Sequence, residues 1–397
     1  MTLQHDLSTK TAAVIGAGPA GLMAAEVLAQ AGVQVTIYDA KPSVGRKFLM
    51  AGKSGLNLTM DAPLDAIVPQ YAEAAETLRP ILAGFDAAAV QDWARGLGQE
   101  VFTGSSGRVF PRAMKASPLL RAWLVRLNDL GVQVQTRWRW TGWDGDALTF
   151  DQGSVVADVT VLALGGASWA RLGSDGAWAD TLHAQGNPVA PFGAANVGLH
   201  VPWSAHMAPH FGQPVKAVAW HAGDHTSRGE AILSAKGLEG GGIYSIARAV
   251  REGAAVNVDL MPDQTVQQVA ERLSKRRGKE SHANHIRKTL KLEPLKLALA
   301  QEWARPLPQD PKALAGVLKA LPVAHTGLRP LDEAISTSGG LCFDGLDAHL
   351  MLKTRPGTFA AGEMLDWEAP TGGYLITACM ATGRWAAQGA VAHLQSA

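Results

Sequence analysis

Cysteine is nearly missing from this chain of 397 residues: Cys342 and Cys379, 37 positions apart, are the only two. Thiols so few and so far apart build no disulfide framework, and no CxxC pair exists to hold zinc or run thiol redox chemistry. A surplus of charge is missing too, since 36 Lys and Arg face 35 Asp and Glu for a net charge of +1. That balance draws the molecule as a whole neither to nucleic acid nor to a membrane surface, so a polyanion site would have to be local. No apolar run reaches the ~18 residues that a bilayer span requires. Met1 to Lys10 is polar and lacks the apolar core of a signal peptide. Internal repeats and low-complexity tracts are absent as well. Together these absences predict a soluble, cytoplasmic protein in a reducing compartment, without a membrane partner.

What is present is an ordered, glycine-rich composition, 47% apolar and 18% charged with 43 glycines, at a length that suits two domains. The apolar run Thr11-Ala12-Ala13-Val14-Ile15 predicts a strand. Gly16-Ala17-Gly18-Pro19-Ala20-Gly21 follows it, then an Ala/Leu-rich helix to about Ala31, stopped by Gly32. Val33 to Tyr38 reads as a second strand that delivers Asp39, 18 residues past Gly21. A strand, a GxGxxG turn, a helix and an acid ending the next strand form the complete dinucleotide-binding pattern. Gly16 permits the tight turn, Gly18 lets a pyrophosphate approach the backbone, and Gly21 lets the helix pack on the strand. The helix start offers free N–H groups to phosphate, with Pro19 and Ala20 in its first turn, and Asp39 offers acceptors to ribose hydroxyls.

NAD and FAD share this pattern, and the rest of the chain separates them. Val159 to Leu164 ends on Gly165-Gly166, and Thr358 to Ala361 ends on Gly362-Glu363. These are two more strand-to-glycine transitions, as an FAD laid along a sheet requires. Between the first unit and these strands lie helical stretches over 63–98 and 117–130, then a meander of short strands from Val132 to Val156. No second GxGxxG stands between a strand and a helix, because the Gly237 to Gly242 run lacks a convincing strand and ribose acid around it. Electrons therefore come from the substrate or from an NAD(P)H that visits the flavin transiently, with O2 as a further acceptor.

Three segments carry a family resemblance: Gly45-Arg46-Lys47 through Lys53-Ser54-Gly55-Leu56-Asn57-Leu58-Thr59, Gly107-Arg108-Val109-Phe110-Pro111, and Ala361 to Asp366 with Pro370-Thr371-Gly372-Gly373-Tyr374. The chain resembles the bacterial flavoproteins grouped with aminoacetone oxidase and the dehydro-bile-acid reductase, over nearly its whole length. The resemblance implies an α/β fold: a Rossmann-like FAD-binding domain of glutathione-reductase type over 1–190 and 331–397. It also implies an inserted domain over 191–330, a β-barrel part at 191–262 and a helical part at 263–330, shaping the substrate site. It places Asp39, Ala40, Gly45, Arg46 and Lys47 near the ribose, pyrophosphate and ribityl chain, with Lys53 to Asn57 against the flavin. Glu363 then holds the ribityl hydroxyls, and Thr371, Gly372, Gly373 and Tyr374 open a helix aimed at the pyrimidine end of the isoalloxazine, the glycines leaving room for it. Two departures fall near that end. Gly55-Leu56 stands where an Arg-Cys pair is commoner, and Trp367-Glu368-Ala369 replaces a shorter acidic-glycine turn.

The reaction implied is hydride exchange between flavin N5 and a small organic substrate, either oxidation of an amine or reduction of an activated double bond. No catalytic side chain is singled out by sequence. A rival reading makes the basic segment Arg272 to Lys296, with nine basic and two acidic residues, an RNA dock for a flavin-dependent RNA-modifying protein. The stretch has no aromatics to stack on bases, which argues against a nucleic-acid partner. A third reading is a redox-sensing interaction module without turnover. The histidines at 200, 206, 210, 221 and 225 include two i,i+4 pairs, but Pro209 and Gly223 break the helices a metal pair would need, so no metal is expected. Trp169 and Trp367, each just past a predicted flavin-facing turn, read as walls of a substrate pocket, and Cys379 as a small buried hydrophobe.

Overall fold

The computed structural model describes residues 7–52, 55–275 and 278–396. The chain divides into two units, residues 1–193 with 336–397, and residues 194–335.

In the first unit, β1 (Thr11–Ile15), α1 (Pro19–Gln30) and β2 (Gln34–Asp39) form the expected opening. They are followed by α2 (Arg46–Ala51) and the short strand β3 (Thr59–Met60). The stretch that reads as one long helix is broken into α3 (Leu64–Ile67), a 3-10 segment, α4 (Ala75–Ala83) and α5 (Ala87–Gly96). The break has a local cause, because Ala72 turns the chain at φ 49°, ψ −119°. Strands β4 (Val101–Thr103) and β5 (Arg108–Pro111) join β3 in a small antiparallel sheet, and α6 covers Ala116–Asp129.

The main sheet is parallel. Its order is the strand Thr358–Ala360, then β10 (Val159–Leu162), β1, β2 and β6 (Gln133–Thr136). β6 belongs to this sheet's edge, whereas the sequence reads it as part of the meander. Only β7 (Trp140–Asp144), β8 (Ala147–Phe150) and β9 (Gly153–Val155) form the separate antiparallel meander. The chain leaves β1 towards β2 on one side and finds β10 on the other, so the carboxyl end of β1 is a topological switch point where α/β sheets open a ligand crevice.

The C-terminal helix Tyr374–Ser396 lies on α1. Gly383 makes the approach so close that a Cβ there would be 2.2 Å from the Ala20 carbonyl oxygen. Behind α1, the carboxylate of Glu26 is 3% exposed and fully engaged. It accepts from Trp123 Nε1 (2.6 Å), Trp93 Nε1 (3.3 Å) and Arg126 Nη1 (2.9 Å). A buried charge held this way ties α1 to α5 and α6, since removing one partner would leave an uncompensated ion.

The second unit holds antiparallel strands and helices. Its strands form two four-stranded sheets, and among the described residues their ladders do not join into the single closed barrel that the resemblance implies. Helices Val266–Leu273, His282–Leu290, Pro294–Ala304 and Pro311–Lys319 follow, the first opened by a capping box of Thr265 and Gln268. Lys296, inside the basic segment, is not on the surface. It is 7% exposed and its Nζ donates to the carbonyls of Ala217 (3.0 Å) and Leu260 (3.2 Å). Arg272 is spent on Gln264 and the Thr289 carbonyl, and Lys288 on Glu280. Lys296 and Arg272 of the basic run therefore serve internal contacts, while Lys288 makes its ion pair at the surface. No helix among the described residues is long and apolar enough to cross a membrane.

Candidate functional site

At the carboxyl ends of β1, β2 and β10 lies a cleft of about 360 Å³. Its walls include Gly16, Gly18, Pro19, Ala20, Asp39, Ala40, Gly45, Arg46, Lys47, Gly165, Gly362 and Glu363, so the structure gathers twelve of the expected site residues at one place.

The three glycines of the opening turn serve different ends. Gly16 has φ +104°, and a Cβ on it would sit 2.2 Å from Ala163 O; one on Gly21 would sit 1.9 Å from Gly16 O. Both are required by the fold itself. Gly18 has an ordinary backbone, φ −83° and ψ −176°, and a Cβ there would meet nothing within 4 Å. Its missing side chain is room kept open in the cleft. Helix α1 starts at this point with no side-chain cap, so its first N–H groups remain available. Asp39, at the end of β2, accepts the backbone N–H of Ala17 on Oδ2 (2.9 Å) and that of Lys41 on Oδ1 (2.8 Å). That fixes the carboxylate while leaving lone pairs for hydroxyl donors. Open room, free N–H groups and a held carboxylate are what a dinucleotide's pyrophosphate and ribose need. The residues present fit FAD.

Further along, Lys47 Nζ lies 2.6 Å from Glu363 Oε2 and donates to Ser168 Oγ at 2.8 Å, while Glu363 Oε1 accepts from the N–H of Thr337 (3.1 Å). Glu363 is 11% exposed and Lys47 27% exposed on their side chains. Four segments distant in sequence meet in this cluster. Beside it on the cleft wall is Cys379, whose thiol is pushed up to about 12 by burial, with the Glu363 charge adding to the rise. It is no nucleophile.

Other expected residues lie elsewhere. Lys53 is outside the described residues. Asn57, Thr371, Gly372, Gly373 and Tyr374 do not line the cleft, although Asn57 Oδ1 is buried with no hydrogen-bond partner. The room at the two late glycines is filled by protein. A Cβ at Gly373, φ +94°, would fall 2.5 Å from Thr59 Cα, and one at Gly372 would strike the Tyr374 ring at 2.8 Å. Trp367 is not a pocket wall. It is 3% exposed, its indole N–H donates to Gly362 O (3.0 Å), and its ring meets Tyr71 edge-on. Trp169 is held at φ 64° with the Arg171 guanidinium 5.0 Å from its ring centre.

The sequence reading missed the far end of the cleft. Trp138, Arg139 and Trp140 line it from the segment after β6, Ser174 and Asp175 from the loop after β10, and Trp178 from the start of the helix Trp178–Ala184. Arg139 pairs with Asp175 at 2.9 Å, and Trp138 packs with Tyr38 and Phe150 beside Asp39. The signal for the first group was the register of β6. Once it pairs with β2, its carboxyl end must emerge next to Asp39. The loop after β10 carries no such signal.

Among the described residues no three of His, Cys, Asp and Glu gather as a metal site. His200 and His221 instead contact Thr326 and Thr226.

Comparison with known proteins gives three results. The family model described as HI0933-like protein Rossmann domain matches residues 10–389. The chain is 26% identical over 415 aligned residues to the 3-dehydro-bile acid delta(4,6)-reductase of Clostridium scindens, covering 95% of this chain and 98% of that protein. Its fold is shared with the open conformation of a flavocytochrome c3 fumarate reductase (TM-score 0.51, 16% identity, 97% of this chain and 79% of that one). The same holds for a 3-ketosteroid delta1-dehydrogenase from Sterolibacterium denitrificans (TM-score 0.51, 11% identity, 97% and 100%).

Proposed function

The chain belongs to the HI0933-like family and is an FAD-dependent oxidoreductase, and from that premise we propose that it reduces an activated carbon–carbon double bond in a small organic substrate. One observation carries this choice over amine oxidation. The likeness to the delta(4,6)-reductase runs over 95% of the chain and so takes in residues 194–335 along with the Rossmann part. We read that second unit as the one that selects the substrate.

Bound FAD supplies the hydride chemistry at its N5. The chain's own groups bind and orient it. The Gly16 to Gly21 turn and the free N–H groups at the start of α1, around Pro19 and Ala20, take the pyrophosphate, with Gly18 giving the contact distance. Asp39 and Ala40 hold the adenosine ribose, Gly45, Arg46 and Gly165 border the phosphates, and Gly362 opens the turn that presents Glu363. Glu363, already oriented by the Thr337 amide and by Lys47, which Ser168 in turn holds, takes the ribityl hydroxyls. We assign Asn57, whose buried Oδ1 has no hydrogen-bond partner among the described residues, to the isoalloxazine end, with Thr371 and Tyr374 near it.

Anaerobic stopped-flow of the holoprotein tests the reading. Flavin reduced by NADH or NADPH should be reoxidised by an enone faster than any amine reduces the oxidised form. Bleaching by amines with no response to enones would replace this reading with amine oxidation.

A further inference from the structure

Arg108 belongs to a segment the sequence singles out and the cofactor leaves unused. It sits on β5 opposite Met60 of β3. Its side chain is only partly exposed, yet it has no ion pair and no hydrogen bond among the described residues. A partly exposed guanidinium with no counter-charge is free to hold an anionic oxygen through charge-assisted hydrogen bonds.

The phenol of Tyr374 lies within the field of that charge. Burial pushes the phenol up, and Arg108 offsets part of the rise, so at neutral pH Tyr374 keeps its proton. Its ring is fixed against Gly372 and stands edge-on to Tyr71. Tyr71 OH donates to the backbone carbonyl of Tyr374 at 2.8 Å, and the Tyr374 hydroxyl itself has no hydrogen-bond partner among the described residues. Tyr374 also stands in the right place. Cys379 lines the cofactor cleft, and Tyr374 precedes it by five residues on the same helix, about 7.5 Å along the axis beyond the cleft wall.

We propose that Arg108 and Tyr374 form the substrate-oxygen site: the guanidinium holds the oxygen that gains negative charge, and the phenol supplies the proton that completes the reduction. The proton step rests on the double-bond reading above. Hydride addition to the β-carbon of an enone moves the π electrons onto the carbonyl oxygen, where Arg108 meets them. The Tyr374 O–H bond then breaks as a C–H bond forms at the α-carbon, and the enolate returns to the ketone. The phenolate left beside Arg108 takes a proton from water. Both electrons come from reduced FAD, recharged by a reduced nicotinamide.

The test uses photoreduced holoprotein, reoxidised anaerobically by 2-cyclohexen-1-one or by ferricyanide, which needs no proton. Tyr374→Phe, with both rates taken per bound FAD, should slow the enone reaction by about 100-fold relative to the ferricyanide reaction. Benzoate serves as a redox-inert oxyanion probe, followed by the perturbation of the bound flavin's absorption. Arg108→Met should weaken it at least ~10-fold, and Arg108→Lys should restore part of the loss. An unchanged enone rate in Tyr374→Phe overturns the proton role, and unchanged benzoate affinity in Arg108→Met overturns the oxyanion role. If the parent protein is not reoxidised by any enone, the double-bond reading falls and the proton role falls with it. The benzoate arm then still decides Arg108.

Discussion

Gly18 in the first turn and Gly373 before the C-terminal helix both read as glycines that make room for a cofactor. A side chain at Gly18 would enter open space, whereas one at Gly373 would strike the Thr59 backbone at 2.5 Å. Their backbones differ to match, with Gly18 in a conformation open to any residue and Gly373 at φ +94°. A glycine before a helix is kept for a ligand only where the direction of its missing side chain is empty. Where that direction points at backbone, it is kept for the fold.

Substitution separates the two cases. Gly373→Leu must adopt a strained backbone, costing about 1–3 kcal/mol, and overpack against Thr59, costing roughly 1–3 kcal/mol more. Thermal unfolding of the apoprotein should show a fall in Tm of on the order of 10 °C or a chain that does not fold. Gly18→Val should leave apoprotein Tm unchanged and yield colourless protein, with FAD affinity lowered by about 100-fold, or roughly 2.7 kcal/mol. A folded Gly18→Val variant holding stoichiometric FAD would erase the contrast, as would a Gly373→Leu variant as stable as its parent.

The two regions are linked by the ion pair of Lys47, shortly after the first turn, with Glu363, shortly before the last helix. Lys47→Met leaves a nearly buried carboxylate without its Lys47 partner, held by the Thr337 amide, and leaves Ser168 Oγ without the Lys47 donor. Breaking a fully buried pair costs ~3–5 kcal/mol, and the partial exposure of Lys47 reduces that to roughly 1–3 kcal/mol. Denaturant unfolding of the apoprotein should record that loss, and adding Glu363→Gln should recover part of it. Full additivity of the two substitutions would show that the pair does not join the regions.

The first of these regions was legible in the sequence because its demands are local. A turn, a helix start and an acid at fixed spacing are written within Thr11 to Asp39. The five-stranded order was less so, since β6 joins the sheet through pairing with a strand nearly a hundred residues away. The surroundings of Gly373, Trp367 and Lys296 were not legible in the sequence, for one reason. Each is defined by what lies against it in three dimensions: the Thr59 backbone, the Gly362 carbonyl, and two carbonyls at 217 and 260. Composition and spacing carry no record of such neighbours.

Cys379 gives the smallest effect and the finest comparison, because it stands on the C-terminal helix yet lines the same cleft as Gly18. Its thiol holds its proton to about 12 in the folded chain, whereas an unfolded thiol releases it near pH ~8.5. Below that lower value both states carry the proton, and the contribution to stability is fully present. As pH rises through the window between them, the unfolded chain loses its proton first and stability falls. Burial also raises the Cys342 thiol, so the measurement belongs in a Cys342→Ala background. There, denaturant unfolding between pH 8 and pH 10.5 should show a steeper alkaline loss with Cys379 than with Cys379→Ala. A thiol reagent at pH 8 should label Cys379 more slowly in the FAD-bound parent than in colourless Gly18→Val, because the residue lines the cleft that the cofactor fills. Equal labelling of the two would mean that the cofactor does not cover the cleft wall at Cys379.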